Sequence, residues 1–235
     1  GVGRNVAENL AYLNTPVALV STVEDAGLGH EIKERLKKNR VRTDFMLKVP
    51  ERGMGMWLVI IDEKGNLAGS ISHMPDLDRL QQWWSIKNRE IIEQSSHIVL
   101  EIDLNETIAE QVLLTAKKAT KPVYSLPGNM EIVPKRPHLL DQLSAFICNH
   151  HEAAQLWGED SLETMEAEAI LERLQTFLQT KQLQAMVVTL GARGAVYCDQ
   201  WSGEAGYCPA EVVQPVDTSG AGDAFFSGTV AGLSR

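Results

Sequence analysis

Apolar positions recur along this chain with two different periods, and the switches between them mark its elements. Val6, Leu10 and Leu13 share one stripe, which predicts a helix over 5–13. The run 16–20 reads as a short buried strand. Ile32 and Leu36, four apart, predict a second helix over 29–39. This alternation points to βαβ units. The pattern then changes: 43–49, 56–61 and 67–73 read as three antiparallel strands with no helix between them. Asp62-Glu63-Lys64-Gly65 is a hairpin turn with glycine at the left-handed position. A small separate sheet is therefore expected at 41–74, set into an α/β core formed by 1–40 and 75–235. In that core the chain predicts a helix over 80–94, a strand over 97–102, a helix over 106–119 and a strand over 122–125. A proline-rich connection, 128–137, leads to a strand over 145–148 and a helix over 150–157. Ser161 is placed to cap a long helical stretch, 161–180. A strand over 185–190 turns at Gly191-Ala192-Arg193-Gly194 into another over 195–198, and a last helix covers 221–233.

Composition narrows the class. The 235 residues are 44% hydrophobic and carry a net charge of −9. That balance argues against a nucleic-acid surface, which demands clustered Lys and Arg. Three cysteines, Cys148, Cys198 and Cys208, make no disulfide framework, so a reduced, cytoplasmic chain is expected. No apolar stretch approaches 18 residues, so no membrane span is expected.

The chemistry concentrates near the end. Asp217-Thr218-Ser219-Gly220-Ala221-Gly222-Asp223 packs two glycines and two acids directly before an apolar run. Such a turn can present backbone N–H groups to an anion, and the following helix adds its positive end. An acid beside it can take a proton from an attacking hydroxyl. No GxxxxGK[ST] stretch occurs, so this is not a Walker-type site. Each candidate also has a plain structural reading. Asp223 and Asn5 could be helix caps. Asn149 followed by Glu152 is also the pattern of a capping box. Thr189 is ordinary β-branched strand filling. His150 and His151 are adjacent, so one helix face cannot present both to a metal.

The segment 217–228 resembles the carboxy-terminal signature of the ribokinase-like (PfkB) family of carbohydrate and nucleoside kinases. Gly1-Val2-Gly3-Arg4-Asn5-Val6-Ala7-Glu8-Asn9 resembles that family's amino-terminal signature. Val188-Thr189-Leu190-Gly191-Ala192-Arg193-Gly194 resembles its nucleotide-site strand and turn, and Asn149-His150-His151-Glu152 its Asn-x-x-Glu motif. The motifs run in family order, and the three-strand interruption stands where the family has its lid. The resemblance implies a three-layer α/β/α fold with a mainly parallel central sheet and a small β lid. It implies ATP-dependent phosphorylation of a sugar or nucleoside, with Mg²⁺ and, in many members, a monovalent cation such as K⁺. Asp223 would be the general base, and the amides of Gly220, Ala221 and Gly222 the anion hole. Asn5 would bind the sugar hydroxyl and Gly3 would admit backbone close to the sugar. Asn149 and Glu152 would organise magnesium, mostly through water, and Thr189, Gly191 and Gly194 would line the ATP side. The Gly3-Arg4-Asn5 form looks most like pseudouridine kinases. Ribokinase, adenosine kinase and a non-catalytic nucleoside-binding protein are the alternatives.

One motif departs from the family pattern. Val23-Glu24-Asp25-Ala26-Gly27 has Glu24 where glycine is usual and Ala26 where aspartate is usual. Asp25 could stand in on the substrate side only if the loop shifts by one residue. The chain also opens on Gly1, inside a motif, and is expected to be truncated at both ends, leaving the nucleotide side open. The lid's exposed edges could pair with those of a second subunit.

Overall fold

The computed structural model describes residues 1–61, 67–214 and 216–235. In chain order it forms α1 (Val2–Tyr12), β1 (Val17–Ala18), β2 (Ser21–Glu24), α2 (Gly27–Lys38), β3 (Val41–Arg42), β4 (Met46–Val49), β5 (Met56–Ile61), β6 (Leu67–His73) and α3 (Asp78–Glu93). There follow β7 (Ile98–Glu101), α4 (Glu106–Lys118), β8 (Val123–Leu126), β9 (Ala145–Asn149), α5 (His150–Trp157), α6 (Ala167–Gln179), β10 (Ala185–Thr189), β11 (Ala195–Asp199), β12 (Ala205–Cys208) and α7 (Ala221–Leu233). The chain divides into two compact units. One is Gly1–Trp84 with Asp223–Leu233 and Arg235; the other is Ser85–Gly222 with Ser234.

In the first unit, β1 pairs parallel with β3, and β2 parallel with β4. Their shared core takes Ala7 and Ala11 from α1, Leu36 from α2, and Leu19, Val23, Val41 and Met46 from the strands and their links, with Val17 and Ile32 packed against it. The Ile32–Leu36 spacing thus does face inward, as its period predicts. Helix α1 starts earlier than expected, with Gly1 at its N-cap, and Leu13 is its half-exposed C-cap residue rather than part of the buried stripe. The expected three-stranded antiparallel sheet is not what forms. Strand β4 lies beside β2, Ser21↔Met46 through Glu24↔Val49, because Met46 and Val49 are buried apolar residues that complete the parallel pair. This leaves β5 and β6 as a two-stranded antiparallel lid, Met56↔His73 through Ile60↔Gly69. Met56, Leu58, Ile60 and Ile71 are exposed on it. The turn expected at Asp62–Gly65 lies outside the described residues.

The second unit holds a six-stranded sheet in the order β12-β11-β10-β9-β8-β7. Strands β7 to β10 are parallel, while β11 and β12 are antiparallel. Every residue of β8 is buried, as a parallel strand covered on both faces requires. Phe146, Met186, Val188 and Val196 are buried at the sheet's centre. The long helix expected over 161–180 is shorter: α6 begins at Ala167 with Glu166 at its N-cap. The Ser161 hydroxyl instead accepts from Glu163 N in a local turn (3.1 Å). Arg193 explains the difference, since its guanidinium takes the Met165 and Leu162 carbonyls (2.7 and 3.4 Å). Strand β12 left no period in the sequence, because Gly206 interrupts it. A Cβ on Gly206 would meet the Tyr197 hydroxyl at 3.1 Å. No helix among the described residues is long and apolar enough to cross a membrane.

Candidate active site

The first and last helices bring Asn5 and Asp223, one residue from each signature motif, together within one unit. Helix α7 turns Phe226, Ser227, Val230 and Ala231 inward. The Ser227 hydroxyl donates to Asp223 O (2.6 Å) and lies 3.5 Å from Val6 O on α1. Because Gly1 occupies the N-cap of α1, Asn5 stands one turn inside the helix and is not a cap. Its Nδ2 donates to Asp223 Oδ2 at 2.7 Å, joining residues 218 positions apart. Arg4 Nη2 donates to Asn5 Oδ1 at 2.6 Å. Gly3 lies in the same first turn.

The glycine turn before α7 is a tight one. Ala221 N donates to Thr218 O (3.1 Å), and Gly220, at φ +79°, takes the left-handed position such a turn demands. The motif's other acid supports the turn: Asp217 Oδ1 accepts from Ser219 N at 2.8 Å. That hydrogen bond lowers the Asp217 carboxyl below its usual value. Ala221 and Gly222 are exposed, and a Cβ on Gly222 would meet nothing within 4 Å.

In the second unit, Asn149 and Thr189 end two neighbouring parallel strands and stand directly in register. In open α/β sheets the carboxyl ends of strands are where ligands bind. Asn149 Oδ1 accepts from His151 N and Glu152 N (both 2.9 Å), and Glu152 Oε2 accepts from Asn149 N (2.7 Å). The capping box is therefore formed at α5. Burial raises the Glu152 carboxyl, the Asn149 amide opposes that, and the nearby Asp103 charge adds to it. Burial lowers His150, whose Nδ1 is buried without a hydrogen-bond partner among the described residues. Burial pushes the Cys148 thiol well up, so it is no nucleophile. Thr189 Oγ1 lies 3.5 Å from Cys148 O. Beyond Thr189, Gly191 (φ +61°) and Gly194 (φ +101°) both need positive φ. Among the described residues, no group of three or more His, Cys, Asp or Glu could hold a metal ion.

A family model for pfkB family carbohydrate kinases matches residues 1–235. The chain is 32% identical over 235 residues to a guanosine-inosine kinase of Exiguobacterium acetylicum, covering all of this chain and 76% of that protein. The chain belongs to the pfkB family of carbohydrate kinases. A second relative is the pseudouridine kinase of Escherichia coli, 26% identical over 228 residues, covering 97% of this chain and 71% of that one. The fold is matched by the structure of Arabidopsis thaliana ribokinase complexed with ribose and ATP, with a TM-score of 0.81 at 24% identity, over 100% of this chain and 74% of that one. The pfkB fold here is three-layered α/β/α, with a mostly parallel central sheet and a small β lid. As a pfkB kinase the protein is an ATP-dependent phosphotransferase acting on a sugar or nucleoside, and kinases of this family generally use ATP and Mg²⁺.

The departures from the pfkB pattern have local structural roles. Glu24 Oε1 accepts from Arg52 N (3.1 Å). Ala26 is the N-cap of α2 and provides no side-chain cap. Asp25 is exposed, with Lys48 at 2.8 Å and His30 at 3.0 Å, and those two hydrogen bonds lower its carboxyl. Sequence reasoning missed two buried acids. Asp103 accepts from four backbone amides, those of Gly128, Met130, Ile132 and Val133, at 2.9–3.2 Å. It thereby fixes the proline-rich connection beneath the strand ends. Glu8 lies on the buried face of α1 among Val6, Ala7, Leu10 and Ala11. Its signal was present: an acid inside an apolar stripe, four residues after an arginine.

Proposed function

We propose that this pfkB kinase phosphorylates the primary hydroxyl of a ribosyl nucleoside, with Asp223 as general base and Asn5 as the sugar-hydroxyl ligand. The observation that carries this is the 2.7 Å hydrogen bond between Asn5 Nδ2 and Asp223 Oδ2. A hydroxyl that donates to the carboxylate and accepts from the amide fits such a pair, and its proton lies within reach of the base. Gly3 keeps the backbone beside Asn5 free of a side chain. Of the amides at Gly220, Ala221 and Gly222 where α7 opens, that of Ala221 closes the turn onto Thr218 O, and those of Gly220 and Gly222 are the ones that can meet charge on a transferring phosphoryl group. Thr189, Gly191 and Gly194 form the nucleotide side.

Asn149 and Glu152 are the candidates for organising magnesium. Their oxygen donors suit an ion that keeps most of its waters. Burial pushes the Glu152 carboxyl up and the Asp103 charge adds to that push; a cation bound beside it would favour the ionised form. Bound magnesium would neutralise the charge of the ATP phosphates.

Within the nucleosides we favour pseudouridine, from the Gly3-Arg4-Asn5 form of the first motif. Guanosine and inosine are the second reading, favoured by the 32% identity to a guanosine-inosine kinase. Asp223→Asn is expected to lower kcat by about 10²–10⁴-fold while nucleoside binding survives. Near-normal turnover by that variant would overturn the base assignment. A panel of pseudouridine, guanosine, inosine, adenosine, ribose and fructose, ranked by kcat/KM, settles the acceptor. A free sugar ranking first would remove the nucleoside reading. Tight nucleoside binding without turnover would mean a non-catalytic binder.

A further inference from the structure

We infer that Arg4, braced by the buried Glu8, is a positioning residue: it sets the Asn5 amide so that its NH₂ end, not its oxygen, faces Asp223. The inference rests on the reading of Asp223 as the base. All its members lie in one compact unit.

A side-chain amide offers an acceptor at one end and donors at the other. Against a carboxylate only the donor end attracts. Arg4 Nη2 occupies the Asn5 oxygen at 2.6 Å, which leaves Nδ2 to reach Asp223 at 2.7 Å. Flipping the amide would set oxygen against carboxylate and NH₂ against guanidinium, two repulsions in place of two attractions.

Arg4 is itself held. Its Nη1 donates to Glu8 Oε2 at 2.7 Å, one turn along α1. The Glu8 side chain is only 6% exposed, and a buried carboxylate is costly unless paired and hydrogen-bonded. Its remaining partners come from the other end of α2: Arg35 Nε at 2.7 Å, Arg35 Nη2 at 3.4 Å, and Nδ2 of the C-cap residue Asn39 at 3.0 Å. The line from α2 through Glu8, Arg4 and Asn5 to Asp223 is therefore continuous and directional. A helix-stabilising ion pair alone would need neither a buried acid nor a fork whose second arm ends on the amide. For a substrate hydroxyl, the fixed NH₂ supplies a donor to its oxygen and leaves its O–H directed at Asp223.

The test is a double-mutant cycle read in kcat/KM with the best nucleoside of the panel, supported by NMR of the Asn5 side-chain NH₂. Arg4→Met keeps the apolar stem and removes the fork. It is expected to lower kcat/KM on the order of ten- to a hundredfold, the scale of one charge-assisted hydrogen bond, mostly through kcat. In an Asn5→Ala background the same change is expected to have no further effect, because the group it positions is gone. A merely structural role predicts equal losses in both backgrounds, and that result overturns the inference. The Asn5 NH₂ resonances are expected to shift in Arg4→Met and in Asp223→Asn, independently of turnover. Unchanged resonances in Arg4→Met would also overturn it. If Asp223→Asn stays active while the resonances still respond to Arg4, the base assignment fails and the positioning of Asn5 stands.

Discussion

Gly191 and Gly194 sit three apart in one turn, yet they are not equivalent. A Cβ on Gly191 would meet nothing within 4 Å, whereas one on Gly194 would press on the Cys208 carbonyl oxygen and lie 2.7 Å from Ala210 N. Gly191→Ala carries only the cost of positive φ, about 1 kcal/mol. Gly194→Ala adds a backbone clash and is expected to cost roughly 2–4 kcal/mol. Urea unfolding of the two variants checks the ordering; equal small losses would refute it. The turn was legible in the sequence, but the unequal burden on its glycines was not. It arises from the chain passing through Cys208–Ala210, whose strand shows no period. Asp103 was invisible for a related reason. A buried acid has the same letter as a surface acid, and only its partners distinguish it.

At the scale of elements, the junction of β9 and α5 carries two roles on the same residues. Asn149→Ala removes an N-cap acceptor and is expected to cost about 1 kcal/mol. Glu152→Gln keeps an oxygen for Asn149 N while removing a partly buried charge. A carboxyl whose folded value is raised binds its proton more tightly folded than unfolded. Its contribution to stability is thus fully present below the ordinary carboxylate range and is lost as pH rises through the raised value. Glu152→Gln is therefore expected to gain on the parent, in urea midpoint, between pH 4 and pH 8. If Glu152 also organises magnesium, the half-saturating Mg²⁺ concentration for turnover rises in the same variant. An unchanged magnesium dependence would leave the residue a cap alone. Periodicity located α2, β5, β6, α5 and α7 well, because their faces are cleanly apolar or their ends carry strong signals. It failed at 161–166, where a distant arginine claims the carbonyls, and at β4, whose partner lies across a helix in sequence.

At the scale of the molecule, the family is written in the order of four motifs, but the pairing of α1 with α7 is not written in any local pattern. It emerges because the last helix packs in the same compact unit as the first. The second unit has its own long-range logic. Its parallel strands each require a long crossover before they can pair: α4 between β7 and β8, the 127–144 connection between β8 and β9, and α5 with α6 between β9 and β10. The β10–β11–β12 meander does not: its two connections, 190–194 and 200–204, are five residues each. Closing such loops loses little chain entropy, and hairpins form within microseconds. The antiparallel margin therefore gives the sheet a starting edge, onto which β9 and then β8 and β7 can add. In a pulsed hydrogen-exchange refolding experiment, amides of β10 and β11 are expected to gain protection before those of β7 and β8. Simultaneous protection would show instead that the sheet assembles in a single step.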